Sequence, residues 1–207
     1  VRPAAERSAF GKALLFLIPF WLVLHYVLGL SGFYQNTAAL PPRLFVFGVA
    51  PTLVLAAAAL LAERERFISS LPLSTLTLIH VVRIPVEMTL SWLSAAGAVP
   101  ETITYHGTNF DLVSGLTAPI AYYFAVKKNA NSRRFLIFWN LAALALLLNV
   151  VITAVLSVPS PIQQLAFDRP NLAVLYSPFL WLPTVVVPIV LFCHLASLYQ
   201  LLRDGRG

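Results

Sequence analysis

Apolar runs of about 20 residues recur along the whole of this 207-residue chain. A run such as "LFVFGVAPTLVLAAAALLA" is long enough to cross the hydrocarbon core of a bilayer as one helix. Within lipid every backbone N–H and C=O group needs an internal partner, which a helix supplies along its own length. A transmembrane barrel would instead show short segments of alternating polarity. The sequence therefore predicts an all-α integral membrane protein.

The composition supports this class and excludes others. Hydrophobic residues make up 59% of the chain and charged residues 11%, with a mean hydropathy of +0.82. A soluble domain is about a quarter charged. Because Cys193 is the single cysteine, an intramolecular disulfide and a site with several thiolate ligands are both excluded. No Lys/Arg-rich block is interleaved with aromatic residues, so we expect no nucleic-acid partner.

The apolar runs predict six transmembrane helices. The links between them are short and rich in turn-forming residues, as in "KKNANSRR" and "VPSPIQQLAFDRPN". None is large enough to hold a soluble domain, so residues 1–207 are predicted to form a single multi-pass bundle. The predicted spans are 10–30, 44–62, 71–95, 112–126, 135–156 and 172–202.

The distribution of Lys and Arg predicts the orientation of the bundle. If the N-terminus is cytoplasmic, only Arg43 and Arg169 lie on the outer side, and Arg83 lies within a span. The inner side then carries all the other cations: Arg2, Arg7, Lys12, Arg64, Arg66, Lys127, Lys128, Arg133, Arg134, Arg203 and Arg206. The positive-inside rule therefore places both termini in the cytoplasm. The Ala/Leu/Val-rich composition favours the inner (plasma) membrane of a bacterium.

The third span carries three ionisable groups in the segment "HVVRIPVE". His80, Arg83 and Glu87 are three and four residues apart, so they share one helical face. A charge near the centre of a membrane helix costs about 2.5 to 3.5 kcal/mol, so this face should look into the bundle or into a watery cavity. Arg83 and Glu87 could pair with each other. Pro85 leaves the Val81 carbonyl without its helical donor and can kink the helix at the same depth.

Depth within the predicted spans groups further polar residues with this face. With Arg83 at its floor, an outward-opening cavity could collect the polar residues of the outer half: His25, Glu87, His106, Asp111, Asn149 and Asp168. Each of these also has a structural interpretation. Arg83 and Glu87 could be an ion pair that fixes helix register. Asp111 could be an N-cap, and Asn149, like Asn140, an interhelical hydrogen bonder. Cys193 and His194 fall in the inner half of the last span and are predicted to serve packing.

Transport is the function that this polar set favours. Glu and His inside a membrane are the usual proton-relay groups. We expect a multi-pass protein whose outward-opening cavity binds a small polar solute or moves protons, without a resident cofactor. Six short helices make a small transporter, so a homo-oligomer is expected as well. The residues predicted to bind the solute or relay protons are His80, Arg83, Glu87, His25, His106, Asp111 and Asn149.

Three other functions remain open at this point. A metal-dependent intramembrane enzyme is conceivable, but neither an H-E-x-x-H nor a G-x-S-x-G motif is present, so no catalytic residue is assigned. Haem ligation needs two imidazoles at one depth, whereas His25 and His80 differ by about 9 Å along the membrane normal. A non-catalytic role in membrane assembly or partner binding is compatible with the sequence. The lipid bilayer is the one partner that the sequence itself implies.

Overall fold

Helices are the regular secondary structure in the part of the chain that the structure describes. The structure is a computed structural model that describes residues 4–62, 67–127 and 129–203, and no strand occurs in these ranges. The prediction of an all-α protein is confirmed. Several cations used to predict the orientation, namely Arg2, Arg64, Arg66, Lys128 and Arg206, lie outside the described residues, as do the side chains of Arg7 and Lys12.

Helices of 17 residues or more form at all six predicted apolar runs. In chain order they are α1 (Ala4–Leu30), α2 (44–62), α3 (Leu73–Ala95), α4 (Asp111–Lys127), α5 (Ala130–Leu156) and α6 (Leu182–Arg203). Within the described ranges, α2, α3, α5 and α6 are the helices long and apolar enough to cross a membrane. Large apolar side chains such as Phe138 on α5 and Trp92 on α3 are exposed on the outside of the bundle. These features indicate a membrane protein, because lipid tails solvate such a surface whereas water does not.

Three of the helices depart from regular α geometry. The first turns of α2 (Leu44–Val49) and of α6 (Leu182–Val186) are π-helical. In α3 a 3₁₀ segment, Ile79–Val82, separates the α-helical parts Leu73–Leu78 and Arg83–Ala95. The 3₁₀ segment ends three residues before Pro85, which has no N–H to bond the Val81 carbonyl. The helix break expected from Pro85 is therefore present just before Arg83.

The last helix begins ten residues later than predicted. Its apolar run starts near residue 172, but residues 172–181 form a 3₁₀ turn (Ala173–Leu175) and further turns. Pro178 explains the delay, because the residue before a proline is disfavoured in α geometry. Pro183 then stands in the first turn of α6, where a missing N–H costs little. The centre of the helix consequently lies near residue 192 rather than 187.

The short helix α4 packs directly against α3 and α5. Its buried face carries small residues, Gly115, Ala118, Ala121 and Ala125, which allow close helix–helix approach. A Cβ atom at Gly115 would lie 3.0 Å from Cγ1 of Ile84 and 3.2 Å from Cβ of Arg83. This close contact holds the first turn of α4 beside the middle of α3.

Candidate functional site

Arg83 joins four helices at the centre of the bundle. Its side chain is 2% exposed. Nη1 donates to Oδ1 of Asp111 at 2.6 Å and to the carbonyl oxygen of Ala143 at 3.1 Å. Nη2 lies 2.6 Å from Nε2 of His194. Residues of α3, α4, α5 and α6 therefore meet on one guanidinium, whose planar set of donors suits several acceptors at once.

The hydrogen bonds assign the tautomer of His194. Because arginine can only donate, Nε2 of His194 accepts from Arg83 and its Nδ1 carries the proton. Nδ1 then donates to Oδ1 of Asn140 on α5, 2.9 Å away. Nδ2 of Asn140 donates in turn to the carbonyl oxygen of Leu136 at 2.9 Å. His194 is thus a neutral imidazole held from both sides, and Asn140 forms the interhelical hydrogen bond predicted for it.

Glu87 lies one turn beyond Arg83 on the same face of α3 and is 1% exposed. Its Oε1 accepts a 2.5 Å hydrogen bond from Nδ2 of Asn109, which also donates to the Ile103 carbonyl oxygen at 2.9 Å. Oδ1 of Asn109 accepts from the backbone N–H of Asp111 at 2.9 Å. Asn109 therefore links the Glu87 carboxylate to the backbone of Asp111 at the start of α4. Among the described residues Oε2 of Glu87 has no hydrogen-bond partner.

The guanidinium of Arg83 binds Asp111 and not Glu87. The sequence offered Glu87 as the partner because the two residues are one turn apart on one helix. Gly115 brings the start of α4 so close to Arg83 that Asp111 reaches Nη1 from across the helix interface. The suggested Arg83–Glu87 hydrogen-bonded pair is accordingly absent from the described part of the chain, and Glu87 has an amide partner in its place.

His80 lies one turn before Arg83 and is fully buried. Its ring stacks on His194, with ring centroids 4.0 Å apart and an interplanar angle of 24°, and the edge of Trp139 lies against it at 5.3 Å. Neither ring nitrogen of His80 has a hydrogen-bond partner in the described residues. His80 therefore places a second imidazole beside the first, on the side of Arg83 away from Glu87.

Two buried serines lie beyond the stacked rings of His80 and His194. Ser114 lies one turn after Asp111 on α4, and Ser197 lies one turn after His194 on α6. Both are buried, and within the described ranges neither hydroxyl oxygen has a partner. The buried polar side chains of α3, α4, α5 and α6 follow one another along the bundle axis. We call this line of polar groups the file. The file runs from Glu87 through Arg83 to the His80–His194 pair.

A cavity of about 130 Å³ borders the Glu87 end of this file. Arg83, Glu87, Asp111 and Asn171 supply its polar lining, and the rest of the wall is apolar. The π-helical first turns of α2 and α6 both contribute to this wall. Such π segments are frequent at functional sites. The cavity is thus not the polar one expected from the sequence; it is a partly open cavity with apolar walls and a few charged groups in its lining.

His25 lies away from this cavity. Its Nδ1 is 2.7 Å from the hydroxyl of Tyr34, and its ring meets the edge of Trp21 at 4.3 Å. This second polar contact joins α1 to the turn before α2. Burial raises the pKa of Tyr34, which lies in that turn, to about 12. The expectation that His25 shares one cavity with Glu87 is not met, because the ring turns to Tyr34.

The remaining predicted residues are exposed. His106 lies in the loop before α4 with its ring against Tyr105. Asn149 donates a 2.9 Å hydrogen bond to the Thr108 carbonyl oxygen, and Asp168 lines an open groove between loops. Of the predicted set, the structure therefore brings His80, Arg83, Glu87 and Asp111 together, and His25, His106, Asn149 and Asp168 lie elsewhere.

Three residues of the site were missed or assigned another role by sequence reasoning. His194 was placed too deep because the predicted α6 began too early; with the observed bounds it lies within two residues of the helix centre, as Arg83 does. Asn109 precedes Asp111 by two residues, the spacing of an Asx turn, and that spacing was a usable signal. Asn171 carried no local signal. Within the described residues no three His, Cys, Asp or Glu side chains lie close enough to hold a metal ion.

One comparison with known proteins gave a match. The model of a family described as "Domain of unknown function (DUF8737)" matches residues 40–202. This range includes α2 to α5, α6 except for its last residue, and all the residues described above around Arg83. No curated protein and no solved structure matches the chain.

Proposed function

The chain belongs to the DUF8737 family, and we propose that it is a six-span membrane transporter that binds a small solute and carries protons. In this proposal Glu87 binds the solute or a proton at the cavity, and the buried file behind it relays protons. The observation that supports it most is Glu87 itself. It is a buried carboxylate in the cavity wall with an amide as its one hydrogen-bond partner in the described chain.

The cost of burial argues for a role beyond stability. An ionisable group inside a membrane is expensive and by default marks a substrate or proton pathway. If the cluster served structure alone, Arg83 and Asp111 would be sufficient, because their charges already compensate each other. Glu87, His80 and two serines add polar atoms without partners among the described residues. Such atoms weaken a core, so a stabilising role does not account for them.

The file offers groups that can pass a proton along the bundle. His194 accepts a hydrogen bond from Arg83 at one ring nitrogen and donates one to Asn140 at the other, so the ring links these two residues. His80 lies against it with both ring nitrogens unpartnered in the described chain. A neutral imidazole can accept a hydrogen bond at one ring nitrogen and donate at the other, which suits it to a relay. A relay through these rings requires water or side-chain movement to reach Ser197 and Ser114.

The proposal includes six spans with both termini in the cytoplasm. Four helices meet the length and hydropathy expected of a span. Of the other two helices, α1 has 27 residues, which is enough for the hydrocarbon core. Helix α4 has 17 residues and begins beside Arg83 in the middle of α3, so in this proposal the segment before α4 completes the fourth crossing. The cation pattern of the sequence supports the orientation. An even number of crossings places the two termini on the same side.

Proton flux into reconstituted vesicles tests the transport proposal. The protein is placed in liposomes that contain a trapped pH-sensitive dye, and a potassium diffusion potential is imposed with valinomycin. Flux is recorded alone and with a panel of small amines, carboxylates and neutral solutes. We expect flux at least about tenfold above that of protein-free liposomes under one of these conditions. Equal flux in both kinds of liposome under every condition would contradict the proposal.

A structural role for the cluster is the second candidate. It is favoured by the Arg83–Asp111 pair, since polar contacts join helices within membranes. In that case Glu87 would contribute to helix packing through Asn109 alone. The two candidates differ in what happens when Glu87 loses its charge without changing shape.

A further inference from the structure

We propose that the cavity beside Glu87 takes a small alkyl or cycloalkyl amine, bound as its ammonium cation. This inference rests on the proposed function, because it names the solute class of the same site. It depends on three features of the cavity, namely its volume, the character of its walls and the balance of charge in them.

The volume and the walls define the body of the ligand. A dry cavity of about 150 Å³ lined by apolar side chains is known to hold a benzene-sized molecule. The cavity here is about 130 Å³. Leu147 and Val150 on α5 and Val186 and Val190 on α6 are among its apolar walls. A compact hydrocarbon body of at most about six carbon atoms therefore fits. A sugar or an amino acid has too many polar groups for these walls.

The charges in the wall define the head of the ligand. Two carboxylates, Glu87 and Asp111, face one guanidinium, that of Arg83. The guanidinium is already bonded to Asp111, at 2.6 Å. Glu87 is therefore the carboxylate without a hydrogen-bonded cation, and its Oε2 lacks a partner in the described chain. An ammonium group supplies both the missing charge and the missing donor.

An acidic or neutral head group fits less well. A carboxylate ligand would need a free cation, but both terminal nitrogens of Arg83 are bonded to Asp111, Ala143 and His194. A neutral alcohol can donate to Glu87 but leaves its charge buried without compensation. An amine is the one head group of the three that meets both needs.

A matched set of four probes tests this inference. Cyclohexylammonium, cyclohexanol, cyclohexanone and cyclohexanecarboxylate have similar bodies and differ in the head group. Their binding to the full chain in nanodiscs is measured by equilibrium dialysis, with empty nanodiscs as the blank. We expect cyclohexylammonium to bind at least about tenfold more tightly than the other three. Equal affinities, or tighter binding of the carboxylate, would overturn the inference without recourse to any variant.

Two variants locate the binding. In Glu87→Gln, the affinity for cyclohexylammonium should fall at least about tenfold and the affinity for cyclohexanol should change little. In Ala154→Phe, which fills the cavity, binding of all the probes should be lost. Glu101→Gln, in an exposed loop, is the matched control and should bind as the wild type does. Unchanged binding of cyclohexylammonium to Glu87→Gln would overturn the inference.

The outcome for this inference can be separated from that for transport. If all four probes bind alike but Glu87-dependent proton flux is present, the solute class is wrong and the transport proposal stands. If cyclohexylammonium binds selectively at Glu87 but no condition produces flux, the amine site stands and the transport proposal is contradicted.

Discussion

Nη1 of Arg83 on α3 donates a 2.6 Å hydrogen bond to Oδ1 of Asp111 on α4, and both side chains are buried. The two residues are 28 positions apart in the chain and come from different helices. Because the two opposite charges compensate each other inside the bundle, the pair fixes how α3 and α4 pack. It also leaves Glu87, one turn away, without a hydrogen-bonded cation. In this account Asp111 therefore has the structural role, as the partner of Arg83, and Glu87 has the functional one.

Removing one partner of this pair should be far worse than removing both. We expect Asp111→Leu to lower the free energy of unfolding by about 3 to 5 kcal/mol, because Arg83 is left as a buried, uncompensated charge. The double variant Arg83→Met/Asp111→Leu should recover most of this loss. Thermal unfolding in detergent micelles measures the effect, with Asp168→Asn as the exposed control. Additive losses in the double variant would contradict the pairing.

The contact at Gly115 can be tested by adding volume. A Cβ atom there lies 3.0 Å from Cγ1 of Ile84, so a larger side chain has to push α4 away from α3. Gly115→Leu should therefore cost about 1 to 3 kcal/mol or more of stability. Leu116→Ala changes the next, exposed position on α4 and should cost much less. Similar melting temperatures for wild type and Gly115→Leu would show that the two helices are not in close contact.

The pattern of the sequence was sufficient for the helices and for half of the site. Long apolar runs marked all six helices, and the spacing of His80, Arg83 and Glu87 marked the buried face of α3. Partners across helix interfaces were harder to predict, because depth depends on where each helix begins. The early start assumed for α6 moved His194 away from Arg83 by several residues. Prolines at 178 and 183 contained the information needed to correct it.

Lateral position could not be predicted from the sequence at all. His25 and Glu87 were both assigned to the outer half of the bundle, yet His25 bonds Tyr34. Equal depth does not place two helices side by side, and one sequence carries no information on which helices are neighbours. For the same reason the sequence could not show that Arg83 pairs with Asp111 rather than with Glu87. That pairing depends on the approach of α4 at Gly115, which only the packed structure shows.

Stability at high pH should depend on Tyr34. Burial raises its pKa to about 12 in the folded chain, against about 10 when unfolded. Between these values the unfolded state has released the proton and the folded state still holds it. Stability should therefore fall as the pH rises from about 10 to about 12. Tyr34→Phe removes this contribution, so its melting temperature should fall less steeply over that range. Parallel profiles for the two proteins would contradict this assignment.

The six-span topology predicts which loops are accessible from outside the cell. Cys193 is buried, so a Cys193→Ala background allows single cysteines to be placed in the loops. Gln35→Cys and Gln164→Cys should react with a membrane-impermeant maleimide in intact cells. Ser70→Cys and Asn129→Cys should react only after the membrane is permeabilised. All four positions are exposed, so the reverse pattern would contradict the orientation and a mixed pattern would contradict the number of spans.

Glu87→Gln separates a functional site from a structural cluster most directly. The substitution keeps the shape of the side chain and removes its charge, and Asn109 can still donate to the remaining oxygen. Melting temperature and proton flux are measured on the same preparation, with Glu101→Gln as the control. We predict a melting temperature within a few degrees of the wild type and a loss of at least about tenfold in flux. A large fall in melting temperature with flux per folded molecule unchanged would contradict the account.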